Sequence, residues 1–287
     1  MAQKDALAPL SPVQVVSLFD ELLANADRLL TSALLILDSG SVGLARSLAI
    51  LGLEESGKAI AIHRRRAQMA YEPEGTPFVD ARLEKLWADH KLKLKTAYDF
   101  LVAEEYWFDT QPPVPEANRA WLGEIEAWSR QHNLLKQRGF YVDFDAEDGV
   151  LAPDSDGDEE SLKLVIDHIH QIGWQLRLGE HIVAKQQEES ARAIPPAAAQ
   201  DIARTRQMLT EAGVDESMLE GICDALRQGR DAIVLNNNDY RHHLAPPQGN
   251  PFATLGQRGY EAQTRELQRL AEEIGLLSDT DDRRPPS

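Results

Sequence analysis

The sequence predicts an all-α protein: an elongated helical bundle with one short β-hairpin and a smaller helical C-terminal region. Three observations carry this. Apolar residues recur at steps of three and four along most of the chain, the spacing of one helical face. Proline and glycine clusters separate these stretches where helices must stop. Strand-favouring residues gather only at Phe140-Tyr141-Val142-Asp143-Phe144 and at Gly149-Val150-Leu151, enough for one hairpin across an acidic turn.

Ser11-Pro12-Val13-Gln14 reads as a helix start, with serine as cap, proline in the first turn and glutamine three residues after the cap. That helix is expected over 12–38, its face formed by Val15, Phe19, Leu22, Ala26, Leu29, Ala33 and Leu37. Gly40 ends it and Ser41 caps a second helix running to about Tyr71. The short link makes the two antiparallel neighbours. After the loop Glu72–Pro77, one continuous third helix is expected over 79–105, carrying Leu83, Trp87, His90, Leu94 and Leu101. Pro112-Pro113 and Pro115 precede a single fourth helix over 116–137, with Trp121, Ile125 and Trp128 on one face. A long helix follows the hairpin, over 161–192, broken by Pro195-Pro196. Three further helices are expected, over 197–212, 216–236 and 251–277. These boundaries give a helical domain over 12–194, a C-terminal helical region over 195–277 and a charged, proline-containing tail over 278–287 expected to be disordered.

Composition narrows the function classes. The single cysteine, Cys223, rules out a disulfide framework within one chain. No apolar run reaches the roughly 18–20 residues that cross a bilayer, and the first ten residues lack a signal-peptide core. A cytoplasmic protein with no membrane contact is the expectation. The net charge of −17 opposes broad, non-specific nucleic-acid binding, which needs phosphate neutralisation. Any RNA contact must use a local basic pocket. The candidates are His63-Arg64-Arg65-Arg66 and the group Lys91, Lys93 and Lys95.

The second helix holds the most unusual residues. Leu44, Leu48, Leu51, Glu55, Ala59 and Ile62 form one face, apolar except for Glu55. A carboxylate in such a stripe needs a cationic partner, because an unpaired buried charge is very costly. Glu54 and Lys58 are four apart in the favoured order for a helical ion pair. Gly52 and Gly57 each weaken a helix by about 1 kcal/mol relative to alanine, and make sense where another backbone passes close.

The segment Ala45-Arg46-Ser47-Leu48-Ala49-Ile50-Leu51-Gly52-Leu53-Glu54-Glu55-Ser56-Gly57-Lys58 resembles the A-x-x-L-A-I-x-x-x-E-E-x-G-K signature of the AbiV family of abortive infection proteins, a branch of the HEPN-like helical domains. Asp89-His90-Lys91-Leu92-Lys93-Leu94 is similar to that family's H-K-x-K-L piece. Phe140-Tyr141-Val142-Asp143, with Gly149 and Pro153, is similar to its Y-V-D…G…P segment. The pieces keep the family's order over roughly residues 12–190. The resemblance implies a HEPN-like bundle that forms a homodimer through its long helices. It implies an antiphage effector that shuts down translation or RNA metabolism, with RNA, the translation machinery or a phage-encoded activator as partners. Ribonuclease members of the HEPN group carry arginine, four to six residues, then histidine. No histidine here has that arginine. Lys58 before His63, Lys85 before His90 and Lys163 before His168 are lysine versions of the spacing, the last outside the matched pieces and read as ordinary helix residues, and lysine holds phosphate only as a point charge.

The chemistry expected of these residues is a metal-independent one. Glu54, Glu55, Lys58 and His90 are the catalytic candidates, with Glu55 orienting His90 as general acid or base. Arg46, His63, Arg65, Lys91 and Lys93 are the candidates for holding RNA phosphate. No metal and no cofactor is expected. His168 and His170 point to opposite sides of a helix, Asp239 and His242 lack a third ligand in reach, and the acidic run from Asp154 departs from calcium-loop spacing. The polar run Asn236–His243 is a secondary binding candidate. The alternative to an enzyme is a non-catalytic helical module that inhibits a target, or senses a phage protein, by binding.

Overall fold

The computed structural model of the protein describes residues 7–107, 111–146, 149–153, 159–244, 253–273 and 275. Ten α-helices and one two-stranded hairpin occupy these residues. The expected 278–287 tail, the acidic run 154–158 and the proline cluster 246–251 lie outside them.

Helix α1 (Pro12–Asp38) starts as its sequence dictates: Ser11 and Gln14 form a reciprocal capping box, with Pro12 in the first turn. Helix α2 (Val42–Met69) runs back antiparallel along it. α2 is the axis of the molecule, packed against α1, α4, α6 and α7. This overturns the one-faced reading of the helix. Ala45, Ala49, Ile50, Leu53 and Ile60 are fully buried, while of the expected core face Ala59 and Ile62 are fully buried and Leu44, Leu48, Leu51 and Glu55 only half-buried.

The third helix is not continuous. Asp89 takes an extended backbone (φ −118°, ψ 113°) and separates α3 (Ala81–Ala88) from α4 (His90–Ala103). Its carboxylate accepts from the N–H groups of Lys91 and Leu92, the satisfied start of a new helix. The fourth helix is likewise two, α5 (Pro115–Leu122) and α6 (Ile125–Arg138), parted at Gly123, whose φ of +80° suits glycine alone. The hairpin pairs β1 (Asp143–Asp145) with β2 (Gly149–Leu151), Phe144 opposite Val150. The strand begins later than the aromatic run, because Phe140 and Tyr141 finish the turn after α6.

Helix α7 (Glu159–Ser190) completes the bundle. Its Leu162, Val165, Ile169, Ile172 and Leu176 join one core with Phe19, Ile50, Leu53, Leu94 and Phe100. Beyond it, α8 (Ala199–Glu211) and α9 (Glu216–Gln228) pack on each other. α9 stops eight residues before the expected 236, at Gly229 with φ +65°, and the chain turns to pair Arg230 with Ile194. α10 (Glu261–Glu273) lies on α7 and α1, beginning ten residues later than the expected 251.

The polar run Asn236–His243 is docked rather than open. Asn237, buried in a left-handed conformation (φ +49°), donates from Nδ2 to the carbonyls of Met69, Glu72 and Pro73. It thereby caps the carbonyl end of α2 from 168 residues away. Among the described residues no helix is long and apolar enough to cross a membrane.

Candidate active site at the junction of α2, α4 and α6

The break at Asp89 places His90 in the first turn of α4, beside α2. Its Nδ1 lies 2.6 Å from Oε2 of Glu54. The other oxygen of Glu54 accepts from the ammonium of Lys136 on α6. The three side chains differ sharply in exposure: Glu54 4% and Lys136 10%, against 54% for His90. A buried acid therefore bridges a buried base and a histidine that faces solvent.

The proton positions follow from chemistry. A carboxylate oxygen only accepts, so His90 Nδ1 carries the proton and donates it to Glu54. In the neutral ring Nε2 is then the acceptor. A carboxylate that fixes a histidine tautomer, with the other ring nitrogen free to exchange protons, is the arrangement general acid–base catalysis requires. Lys136 supplies the charge that keeps Glu54 tolerable inside the protein.

The acid that orients His90 is thus Glu54 and not Glu55. Successive residues on a helix point about 100° apart, so only one of the two can face α4 and α6. Glu55 instead pairs with Lys58 at 2.6 Å on the half-buried side of α2, and the Glu54–Lys58 ion pair expected from spacing does not form. Lys58 also lies over the Trp87 ring, 5.4 Å from its centre. Trp87 precedes His90 by three residues, across the α3–α4 break.

Gly57 sets how closely α2 and α4 approach. A Cβ added there would stand 2.2 Å from the backbone oxygen of Lys93. Gly52 plays the same part toward α1, where a Cβ would sit 3.2 Å from the Ala26 carbonyl. Both glycines serve helix crossings within one chain. Ser47 completes the α6 contact by donating to the Lys136 carbonyl at 2.7 Å.

The phosphate candidates scatter. Lys91 is exposed in the first turn of α4, beside His90, whereas Lys93 is buried against α2. Arg46 is buried two turns before Glu54, facing α6 and α7. Arg65 is buried with its guanidinium committed to the carbonyls of Phe78 and Pro77 and to Glu72. His63, expected with Arg64–Arg66 to offer a local basic pocket, is instead fully buried. α2 is enclosed at that end, and the three arginines that follow His63 are paired with Glu105, Glu72 and Glu180.

His63 shares a 2.9 Å hydrogen bond with the Tyr106 hydroxyl, its ring 4.7 Å from that of His242. Burial, then the neighbouring His242, holds its pKa well below the usual histidine range. Glu180 lies at the centre of this interior network. It pairs with Arg66 at 3.0 Å and Arg177 at 2.7 Å, with His242 Nδ1 at 3.7 Å, an electrostatic neighbour beyond hydrogen-bond length. Burial pushes the Glu180 carboxyl up, but His242, Arg177 and Arg66 outweigh it and hold it well below the usual range.

Sequence reasoning missed Lys136 and this Glu180 network. Lys136 lies 82 residues from its partner, and its local signal is faint: a lysine seven residues after buried Ser129 on a helix whose inward face also holds Trp128. Among the described residues no group of three or more histidine, cysteine or acidic side chains could hold a metal ion.

The HEPN_AbiV family model, described as AbiV, matches residues 14–174, more than half of the chain and all of α2, α4 and α6. No curated protein and no solved structure matches.

Proposed function

Because the chain belongs to the AbiV family, we propose that it is an abortive-infection effector that halts translation or RNA metabolism through His90, held by Glu54. One observation carries this reading: a buried carboxylate, braced by Lys136, bonded at 2.6 Å to a histidine that is more than half exposed. A purely structural ion pair has no need to leave its histidine in solvent.

In this reading His90 Nε2 takes the proton of a ribose 2′-hydroxyl. The 2′-oxygen bonds to the adjacent phosphorus, the bond from phosphorus to the 5′-oxygen breaks, and that oxygen takes a proton from water. The products are a 2′,3′-cyclic phosphate and a 5′-hydroxyl end. Glu54 stabilises the imidazolium that forms. Lys91, exposed next to His90 in the first turn of α4, and Lys58 on α2 are the candidates for the phosphate. Arg46, Arg65, Lys93 and His63 are enclosed and have no part in this step.

A second reading has its own support. The chain lacks the arginine–histidine spacing of HEPN ribonucleases, Lys58 is engaged by Glu55, and the net charge is −17. These favour a module that stops a target by binding, as a homodimer or with a phage-encoded activator.

Purified protein incubated with total RNA and, separately, with a cell-free translation mixture tests both. The nuclease reading expects fragments with cyclic-phosphate ends, lost by 10²- to 10⁴-fold in His90→Ala. Intact RNA with arrested translation supports the binding reading. Intact RNA with unimpaired translation, in the presence of infected-cell extract, contradicts both.

A further inference from the structure

A cleft of about 200 Å³ opens between α2, the α5–α6 turn and α7, and no part of the proposed mechanism uses it. Its wall holds His132, His168, Trp121, Trp128, Arg46 and Leu164. His168 is the anomaly. It is buried (6% exposed), and neither ring nitrogen meets a hydrogen-bond partner. Buried polar atoms are nearly always satisfied, and leaving one unpaired costs about 1–3 kcal/mol. Burial pushes this imidazole down to about 4, so it is neutral at pH 7 and presents one donor and one acceptor nitrogen.

The other walls share that character. His132 donates from Nδ1 to the Trp128 carbonyl at 2.8 Å, which leaves Nε2 as its acceptor. Its ring lies 4.0 Å from the Trp128 ring, tilted by 35°. Trp121 meets His168 edge-on, centroids 5.6 Å apart, yet is 63% exposed. An exposed indole that lines the cleft beside a histidine with unmet hydrogen bonds offers a flat ligand both a stacking surface and polar partners. The volume is below the 300–1,000 Å³ of drug-sized pockets, so it takes one planar ring system. Arg46 is buried and lines the same cleft.

We propose that this cleft is a nucleobase-binding site, in which the ring stacks on Trp121 and its donor–acceptor edge is read by His168 and His132. A base presents alternating donors and acceptors around a flat aromatic ring, which is what neutral imidazoles and indoles complement. The base can come from a free nucleotide or from a single-stranded RNA. The cleft is lined by none of Glu54, His90 and Lys136 but shares α6 with that group, His132 being one turn before Lys136.

The test is titration of the full chain with AMP, GMP, UMP and CMP, and separately with four-nucleotide single-stranded RNAs, following tryptophan fluorescence. Saturable quenching is expected. Trp121→Ala, at an exposed position, lowers affinity roughly tenfold or more, the scale of one lost stacking contact. His168→Phe, which keeps the buried ring and removes both nitrogens, lowers it by a similar factor with helicity unchanged by circular dichroism. Binding of mononucleotides assigns the site to a free nucleotide, and binding of the tetranucleotides alone assigns it to a strand. Absence of saturable quenching with every probe up to millimolar concentration overturns the proposal. So does quenching that survives His168→Phe, which would mark surface stacking on Trp121. The measurement reads binding to the protein alone and stands whether or not RNA is cleaved.

Discussion

At the residue scale, the point on which the protein turns is a single acid. Glu54 and Glu55 are neighbours of the same type, and from sequence either could face the core. Periodicity drawn through Leu48 and Leu51 selects Glu55, because it assumes a helix with one buried side. α2 is buried on nearly every side, so the apolar pattern cannot say which carboxylate points inward. The need for a cationic partner was legible, and so was the histidine of the next helical segment. Lys136 was not, since nothing local distinguishes it from the other lysines. The interior histidines carry a prediction of their own. His63, His168 and His242 all have pKa values lowered chiefly by burial. Their unfolded forms bind protons first as pH falls below about 6.5, so stability present above that pH is lost on acidification. For His168, with its pKa at about 4, the loss at pH 5 is about 2 kcal/mol. Urea unfolding at pH 7 and pH 5 should show this fall, and His168→Phe should lessen it by the His168 share, leaving that of His63 and His242. An unchanged pH slope in the variant would place the proton uptake elsewhere.

At the scale of elements, the ends of helices were more legible than their interruptions. The capping box at Ser11–Gln14 and the glycine stop before α2 both form as read. The breaks at Asp89 and Gly123 were missed because hydrophobic spacing runs through them without a change of phase. Aspartate is a poor interior helix residue and a good cap, and that preference decides the first break. It also sets the geometry of the proposed site, by placing His90 in the first turn of α4. The glycine reading was sound in kind: Gly52 and Gly57 do mark close backbones, though within one chain. Gly57→Ala would force Cβ to 2.2 Å from the Lys93 carbonyl. α4 must then move away from α2, at about 1–3 kcal/mol, the usual cost of overpacking, and carry His90 off Glu54. Lower stability in urea together with lost activity is the expected outcome. A variant as stable and active as the wild type would show that this crossing does not position the site.

At the scale of the whole molecule, charge is distributed unevenly between inside and outside. Arg46, Arg65, Arg66 and Arg177 are all buried, so the cations that a sequence count sets against 47 acidic residues are in part not on the surface. The exterior is more acidic than −17 suggests, which opposes non-specific RNA contact and leaves recognition to local sites. The interior arginines also tie distant chain together: Arg66 bonds the carbonyls of Tyr240 and Arg241, and Arg177 bonds Asp20 and Gly259. These long-range pairings were beyond sequence reading, because they join residues up to 175 positions apart. They hold a bundle whose outward chemical feature is one oriented histidine at the α2–α4–α6 junction. The central claim is that Glu54 acts only through His90, and a double-mutant cycle on translation arrest measures that directly. Glu54→Gln and His90→Ala should each weaken arrest by a large but measurable factor with the fold retained, and the double variant should be no weaker than His90→Ala alone. Full arrest by folded His90→Ala, or losses that simply add in the double variant, would contradict it.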